Sequence, residues 1–544
     1  MGGRLASRKR ETAAARAKAR GIARTKPPKV ERTQLPPGPS APTKSETAVP
    51  LAVSLPALES HLWEAANILR GSPVDRSDWK SYILPMLFFK RICDAWDEEH
   101  EGMLAEYGAD FADEHRFQVP ESCHWNDVRA KAKNVGTALQ NAMRGIEAAN
   151  QKHLYGVFGD TQWTNKERLP DELLKNLIEH FSALAIGNAR VSGDVMGDAY
   201  EYLIKKFADS TNKKAGEFYT PRSVVRLMVD MLDPKEGETV YDPACGTGGM
   251  LLAAVAHVRD RGGDPRTFFG RLYGQEKNLT TAAVARMNLF LHGVEDFDIE
   301  RGDTLRAPVF TDPSTGGLAT FDVVVANPPF SLEKWGREIW DSDPWGRAFV
   351  GVPTDSSGDF AWVQHMVSSM AERIGRMAVV LPQGALFRGG VEGDIRRGLL
   401  ERDLIEAVIG LAPNLFYGTG LAACLLVMRQ GKRSKRTKKV FVVDASSLFR
   451  KGRAQNFLES VHADQIVKWV DAFKDVPDRA RVVSLAEIEK EGWTLNISRY
   501  VAPRVGEDIL PLHEAAVAFK QALERYRAAE NHLRSAIRKG GWVS

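Results

Sequence analysis

The sequence predicts an α/β protein with a mostly parallel sheet, preceded by a helical domain and followed by a C-terminal helical extension. Three patterns support this fold class. Strand-like apolar runs alternate with helical stretches after about residue 215, helical spacing dominates before it, and a heptad pattern closes the chain. With 544 residues, of which 43% are hydrophobic and 26% charged, the composition is that of a globular protein.

Residues 1–50 are predicted to form a disordered basic arm. They hold 12 Lys and Arg residues, three acidic residues and seven prolines, with few large apolar side chains to build a core. The other 494 residues carry 62 basic and 67 acidic side chains, so the arm accounts for the formal net charge of +4. We favour contact of the arm with nucleic acid, although an Arg- and Ala-rich start also fits an organellar transit peptide.

Cysteine usage and the length of the apolar runs indicate the compartment. Four cysteines without a C-x-x-C pair give neither a disulfide framework nor a zinc signature, so we predict no metal site and a reducing, cytoplasmic location. The longest apolar run has eight residues, from Leu421 to Met428, which is too short for a membrane span.

Residues 51–190 are predicted to be an N-terminal helical domain. Leu58, Leu62, Ala65, Ala66 and Leu69 recur at helical spacing, and a second apolar run follows between residues 82 and 92. No catalytic constellation is found here, so packing of the helices on one another is the interpretation we favour.

Residues 191–430 are predicted to contain the sheet, whose ligands are expected where the parallel strands end. The predicted strands cover residues 239–242, 272–276, 298–301, 321–326, 377–381, 405–411 and 422–428. Residues 431–507 follow as a basic loop and a mixed region. Six basic side chains lie between residues 432 and 439, and a solvated loop and a phosphate contact are equally compatible with them.

Residues 508–544 are predicted to form a heptad-patterned helix for assembly with a partner. Its seam steps four and three residues in turn, and a single helix cannot bury such a stripe. Folding back on the chain remains an alternative. The seam consists of Leu512, Ala516, Phe519, Leu523, Tyr526, Glu530, Leu533 and Ile537.

The first predicted strand ends in an acid followed by a glycine-rich turn, which is a candidate ligand site. Glycines allow a tight turn and the close approach of a ligand to the backbone, and the acid suits an ammonium group or ribose hydroxyls. The turn lacks the residues of a P-loop and of a dinucleotide fingerprint. The candidate residues are Asp242, Ala244, Cys245, Gly246, Thr247 and Gly248.

Two further acids lie at the ends of the next two strands. Glu276 could accept both hydroxyls of a ribose, and Asp303 could accept from an adenine amine. A single acid at the end of a strand is more often just a polar residue without a function. Three acids at successive strand ends of one predicted sheet favour a ligand site.

The fourth predicted strand stops at Asn327, Pro328, Pro329 and Phe330. The two prolines end the strand and leave a backbone carbonyl free to accept a hydrogen bond. The Asn327 amide oxygen is a second acceptor, and Phe330 offers a flat face for stacking. Two acceptors beside an aromatic ring suit the exocyclic amine of a nucleobase.

A further candidate segment lies upstream of the first strand and opens a helix. Thr220 is predicted as its N-cap with Pro221 in the first helical position. Without the downstream motifs, a capped core helix is equally compatible with this segment. Its candidate residues are Glu217, Phe218, Tyr219, Thr220, Pro221 and Arg222.

These motifs together resemble the Rossmann-like amino-methyltransferases that use S-adenosylmethionine, and their order is similar to that of a group of DNA adenine-N6 methyltransferases. Residues 69–71, 77–80, 87–91 and 415–420 narrow the resemblance to the modification subunit of type I restriction-modification systems. The resemblance extends from about residue 55 to the end of the chain.

The resemblance implies a role for each candidate residue. Residues 217–222, Ala244 to Gly246 and Glu276 would hold the cofactor, with Asp242 and Asp303 in support. Asn327 and the Pro328 carbonyl would accept from the adenine N6 amine, and Phe330 would stack on a base flipped out of duplex DNA. The implied partners are a specificity subunit that reads the DNA, bound by two copies of this chain, and a restriction endonuclease subunit.

Two alternatives remain open from the sequence. Tetrapeptides like the one at Asn327 also serve methylation of RNA bases and of protein glutamine. A catalytically silent scaffold of a DNA-binding complex is the other alternative, against which the complete set of motif residues argues.

Overall fold

Helices form the N-terminal domain, and they bury their apolar faces against one another in a computed structural model of the chain. The described helices are Leu55–Ile68, Trp79–Tyr107, Trp125–Arg129, Val135–Ala149, Gln151–Leu154 and Asp171–Ser182. The residues that the helical spacing singled out in the first helix, such as Leu58 and Leu62, are fully buried. Periodic apolar residues thus mark the packed face.

The structure describes residues 52–107, 117–192, 220–294, 296–416, 420–453, 455–501 and 512–539, with nine further positions between 195 and 207. The predictions for the arm at residues 1–50, and for Glu217, Phe218 and Tyr219, fall outside the described residues. No described helix is both long and apolar enough to cross a lipid bilayer.

A nine-stranded sheet lies at the centre of the second region, in the order β3-β2-β1-β4-β5-β7-β6-β8-β9. Neighbouring strands from β3 to β5 are parallel, whereas β7 and β9 run against their neighbours. The strands are β1 Val240–Asp242, β2 Leu272–Glu276, β3 Asp298–Arg301, β4 Val323–Ala326, β5 Arg376–Pro382, β6 Ile405–Gly410, β7 Ala423–Arg429, β8 Lys439–Asp444 and β9 Ala480–Ser484.

Helices cover both faces of this sheet because both faces are apolar. In β4, Val323 and Val325 belong to the core on one face, while Val324 and Ala326 belong to the core on the other. The described helices of this region are Arg222–Leu232, Gly249–Asp260, Leu279–Leu291, Arg337–Trp340, Asp359–Ser368, Val391–Glu401, Ser460–Ala472 and Leu485–Lys490. The predicted α/β fold with its mostly parallel sheet is confirmed.

The helix Leu279–Leu291 joins the two regions. The ring of Phe290 packs edge-on against Phe88 of the helical domain, with ring centres 5.7 Å apart. The Arg286 guanidinium donates at 2.7 Å to the Tyr155 carbonyl of the helical domain and also to the Ile299 carbonyl of β3. The helical domain is therefore fixed to the element that follows β2.

The last described helix, Leu512–Lys539, exposes its heptad seam. Phe519 is 69% exposed, Tyr526 is 64% exposed and Leu533 is 61% exposed. Over the described residues the seam is therefore not buried against its own chain.

Candidate active site

Three neighbouring parallel strands bring Asp242, Glu276 and Asn327 to one edge of the sheet. Strand β1 lies between β2 and β4 and is parallel to both. Asp242 is the last residue of β1, Glu276 is the last residue of β2, and Asn327 directly follows β4. After β1 the chain continues to β2 on one side of it, whereas β4 pairs with β1 on the other side. The connections therefore diverge at the end of β1, and open α/β sheets bind ligands in the crevice at such a point.

The glycine-rich turn after β1 is shaped by two residues with positive φ. Gly246 has φ +54° and Gly248 has φ +79°, a region that side chains with a Cβ disfavour. The Gly246 backbone N–H donates at 3.1 Å to Oε2 of Glu276, and the Ala244 N–H donates at 3.0 Å to Oδ1 of Asp242. The turn is therefore tied to both carboxylates.

Asp242 is a buried carboxyl group with an altered acidity. It is 2% exposed, and burial raises the pKa of its carboxyl to about 8. The Ala244 hydrogen bond opposes this rise in pKa, and the negative charge of Glu276 adds to it. Near neutral pH this carboxyl group accordingly carries a proton for most of the time.

Glu276 and Asp303 lie at neighbouring strand ends and differ in their contacts. Oε1 of Glu276 accepts from the Asn278 backbone N–H at 2.8 Å, which orients the carboxylate over the start of the next helix. Asp303 is paired with Lys277 at 2.8 Å, so its charge is partly neutralised at the surface. The predicted adenine contact of Asp303 would have to share the carboxylate with that lysine.

Cys245 is a buried residue of the glycine-rich turn. It is 5% exposed, and burial raises the pKa of the thiol well above its ordinary value. Its Sγ lies against Gly274 of β2, where an added Cβ would come within 2.9 Å of the sulfur. The thiol therefore serves packing and is shielded from oxidants.

The structure places Thr220 against the catalytic candidate Asn327. The helix begins at Arg222 with Pro221 in the N-cap position, so the prediction of Thr220 as N-cap is wrong by one residue. Instead, the Asn327 Nδ2 donates at 2.7 Å to Oγ1 of Thr220. Arg222 is engaged by Asp198 at 2.9 Å. The segment before the helix thus contacts the amide directly.

The amide oxygen of Asn327 differs from its nitrogen in having no hydrogen-bond partner among the described residues. This oxygen, Oδ1, is buried. A buried acceptor without a donor is costly, and such groups are found where a ligand supplies the missing hydrogen bond.

The motif after Asn327 is supported by residues for which the sequence predicted no contact with it. Phe330 meets Phe416 with ring centres 6.0 Å apart and planes at 67°. Ser331 has φ +48°, and its N–H donates at 2.7 Å to Oδ1 of Asp359, which is 1% exposed. Asp359 also accepts from Arg388 at 3.1 Å. These groups fix the backbone that presents Phe330.

A second supporting network joins the ends of β1 and β3. Thr304 Oγ1 donates at 2.6 Å to the Pro243 carbonyl, and Arg347 donates at 3.0 Å to the Thr304 carbonyl. Arg347 is fully buried, is paired with Asp343 at 2.7 Å and lies over the Trp340 ring. The sequence signal for this network was the four-residue spacing of Asp343 and Arg347. The same spacing is found in ion pairs on the exposed face of a helix, so it did not indicate a buried pair.

The basic stretch at residues 432–439 lies away from this edge. It follows Arg429, which pairs with Arg376 at the opposite, amino end of β5. Lys432 is paired with Asp403 at 2.6 Å, and the buried Arg436 lies 3.3 Å from Glu406. Two of its charges are therefore neutralised within the protein, which weighs against a phosphate contact beside the candidate site.

Comparison with known proteins matches both regions of the chain. A model of the N-6 DNA methylase family matches residues 191–508, and a model of the HsdM N-terminal domain matches residues 58–181. The type I restriction enzyme MjaVII methylase subunit of Methanocaldococcus jannaschii is 33% identical over 73% of this chain and 68% of its own. The HindI methylase subunit of Haemophilus influenzae is 30% identical over 75% of this chain and 92% of its own.

A solved structure gives the same result. The type I restriction-modification methyltransferase subunit of Streptococcus thermophilus is 32% identical, with a TM-score of 0.72 over 82% of this chain and 100% of that one. These matches favour DNA over the RNA bases and protein glutamine that the sequence left open. The chain therefore belongs to the N-6 DNA methylase family, as an adenine-specific DNA methyltransferase of the type that provides the modification subunit of type I restriction-modification systems.

Proposed function

We propose that this chain transfers a methyl group from S-adenosylmethionine to N6 of an adenine in duplex DNA whose sequence a separate specificity subunit reads. The observation that carries the proposal is the Asn327 amide. Its Nδ2 is held by Thr220, and its buried Oδ1 has no donor among the described residues. An exocyclic amine supplies the donor that this oxygen requires.

The residues around the glycine-rich turn fit the proposed cofactor. A Cβ added at Gly246 would meet no atom within 4 Å, so the turn borders open space that a ligand can enter. Asp242 suits the ammonium group, and Glu276 suits the ribose hydroxyls. Residues 217–222 and 244–248 and Asp303 complete the proposed binding set. When bound, S-adenosylmethionine supplies a methyl group that its sulfonium makes electrophilic.

The protein contributes orientation to the transfer. Asn327 Oδ1 and the Pro328 carbonyl accept hydrogen bonds from the two N6–H groups. The lone pair of N6 takes no part in these hydrogen bonds and is therefore directed at the methyl group. Phe330 stacks on the adenine ring after the base has left the duplex, and stacking offsets part of the cost of flipping. Positioning of this kind can account for a large part of the rate.

The exposed heptad seam supports the proposed partners. A specificity subunit that offers a helix would cover the apolar residues of Leu512–Lys539, and two copies of this chain would bind each specificity subunit. A restriction endonuclease subunit would complete the assembly. We place the complex in the cytoplasm, in keeping with the four unpaired cysteines.

The test is transfer of tritium from labelled S-adenosylmethionine to duplex DNA by the chain assembled with its specificity subunit. We expect the label on adenine N6. Asn327→Ala should lower the rate at least a hundredfold, because positioned donors and acceptors of this kind are worth about that much, while cofactor binding is retained.

Asn67→Ala is the matched control, since Asn67 is a side-chain amide on a helix of the other domain. It should leave the rate unchanged. Label on cytosine, RNA or protein would refute the proposal, and so would an unchanged rate for Asn327→Ala.

A further inference from the structure

A turn after β5 lies at the same edge of the sheet as Asn327. Strand β5 pairs with β4 in parallel, with Ala326 opposite Val379. The chain leaves β5 at Pro382 and makes a short 3₁₀ turn, Gln383–Leu386, which leads directly to Phe387. The carboxyl ends of parallel neighbours meet at one edge, so this turn and the segment 327–330 are neighbours.

Arg388 ties this turn to the base-binding segment. Its Nη2 lies 3.4 Å from Oγ of Ser331, the residue after Phe330, and its Nη1 donates at 3.1 Å to Asp359. Asp359 in turn accepts from the Ser331 backbone N–H at 2.7 Å. One buried carboxylate therefore contacts both the residue after Phe330 and the residue after Phe387.

The base of the turn is held equally firmly from inside the protein. The Arg396 guanidinium, on a residue that is 3% exposed, donates to the carbonyls of Ala385 at 3.1 Å and of Arg388 at 2.9 Å. Ala385 and Leu386 are buried. The backbone on both sides of Phe387 is thus anchored.

Phe387 itself is exposed, unlike the two residues before it. Its side chain is 51% exposed, and Val391, at the start of the next helix, is 41% exposed. Gly389 and Gly390 lie between them, and an added Cβ at either would meet no atom within 4 Å. An exposed apolar residue therefore lies in an anchored turn, with open space at the two glycines that follow.

We propose that Phe387 inserts into the duplex at the position that the target adenine vacates. This inference rests on the proposed function, because only an enzyme that flips a base leaves such a gap. When the base leaves, its neighbours in the duplex lose their stacking contacts with it. An apolar side chain placed between those neighbours restores contact at the vacated position. Phe387 meets the geometric requirement because it lies at the same edge of the sheet as Asn327 and precedes Arg388, which contacts Ser331 and Asp359.

The test uses the complete complex with its specificity subunit and a duplex that carries 2-aminopurine in place of the target adenine. For Phe387→Ala we expect a smaller rise in fluorescence on binding this duplex. On the same duplex with adenine at the target, which unlike 2-aminopurine carries the N6 amine, we expect a methylation rate about tenfold lower. Cofactor affinity and assembly of the complex should be unchanged. An abasic site opposite the target removes the pairing cost, and on that duplex the variant should regain most of the rate. Phe387→Trp should retain it on both duplexes.

Ile374→Ala is the matched control. Ile374 is 62% exposed and precedes β5 at its opposite, amino end. This change should have no effect on any readout. A normal flipping signal and rate for Phe387→Ala would overturn the inference. A rate loss of the same size on the abasic duplex would overturn it in favour of stacking on the flipped base, and weaker assembly would overturn it in favour of a contact with the partner protein. If the unaltered complex failed to label adenine, the proposed function would fail instead.

Discussion

At the scale of single residues, the contact between Thr220 and Asn327 explains why a segment 107 positions upstream belongs to the site. The Asn327 Nδ2 donates at 2.7 Å to the threonine hydroxyl, so the amide oxygen can point only the other way. Thr220 is on this view a positioning residue as well as a neighbour of the proposed cofactor. The two roles affect different kinetic constants.

Thr220→Val removes the acceptor and keeps the shape of the side chain. We expect kcat to fall about fivefold at saturating cofactor, which corresponds to the ~1 kcal/mol that one hydrogen bond contributes. Thr220→Ser should restore the rate. Steady-state kinetics with varied cofactor would check this, and a loss confined to KM for the cofactor would show that Thr220 binds cofactor without positioning Asn327.

The raised pKa of Asp242 predicts how cofactor affinity changes with pH. Burial raises it to about 8, so the free protein carries a proton there at neutral pH. An ammonium group opposite Asp242 requires the ionised form, so binding must release that proton. Cofactor affinity should therefore rise with pH up to about 8.

Calorimetry in two buffers of different ionisation enthalpy measures this proton release directly. Asp242→Asn should bind the cofactor more weakly and should lose the rise between about pH 6 and pH 8. Equal proton release by the variant and the unaltered protein would mean that another group loses the proton.

Residues at strand ends were predicted correctly in position, because the signal for a strand end is local, whereas their roles in binding and catalysis stay predictions. Asp242 and Asn327 each directly precede a proline that ends a run of β-forming residues, and Glu276 ends such a run two residues before the N-cap Asn278 of the next helix. Asp359 and Arg388 were missed because they act on Ser331 from 28 and 57 positions away. Nothing in their immediate neighbourhood distinguishes them from a helix start and a surface loop.

At the scale of elements, strands were easier to predict than their order. The runs at 405–411 and 422–428 were predicted as strands, and both are strands. Their apolar patterns are alike, so the sequence could not reveal that β7 inserts antiparallel between β5 and β6. That order depends on which neighbour buries more apolar surface, which is a property of the whole sheet.

The C-terminal helix is the element with the clearest test. Phe519→Glu places a charge in the seam and should weaken assembly with the specificity subunit about tenfold or more, because a charge must then be buried against the partner. Cofactor binding should be unchanged. Analytical ultracentrifugation of the mixed subunits would measure the assembly.

Val517→Glu is the control for that experiment. Val517 is 55% exposed on the same helix and lies outside the seam. It should assemble normally. Equal weakening by both substitutions would indicate a general effect of negative charge on the helix.

At the scale of the whole molecule, charge and catalysis are separated. The body of the chain carries slightly more acidic than basic side chains, and the basic stretch at 432–439 lies at the amino end of the sheet and is partly paired with Asp403 and Glu406. An enzyme on DNA needs positive charge to hold phosphates. The body is therefore suited to act on DNA that a partner helps to hold.

The exposed seam of Leu512–Lys539 also has a consequence for the supply of the protein in a cell. A chain synthesised in excess of its partner presents a long apolar stripe to other copies of itself and to proteases. Self-pairing would withdraw the surplus from use, and degradation would remove it. The abundance of working enzyme is then set by the scarcer subunit, and balanced synthesis of the subunits becomes a requirement that the shape of one helix imposes.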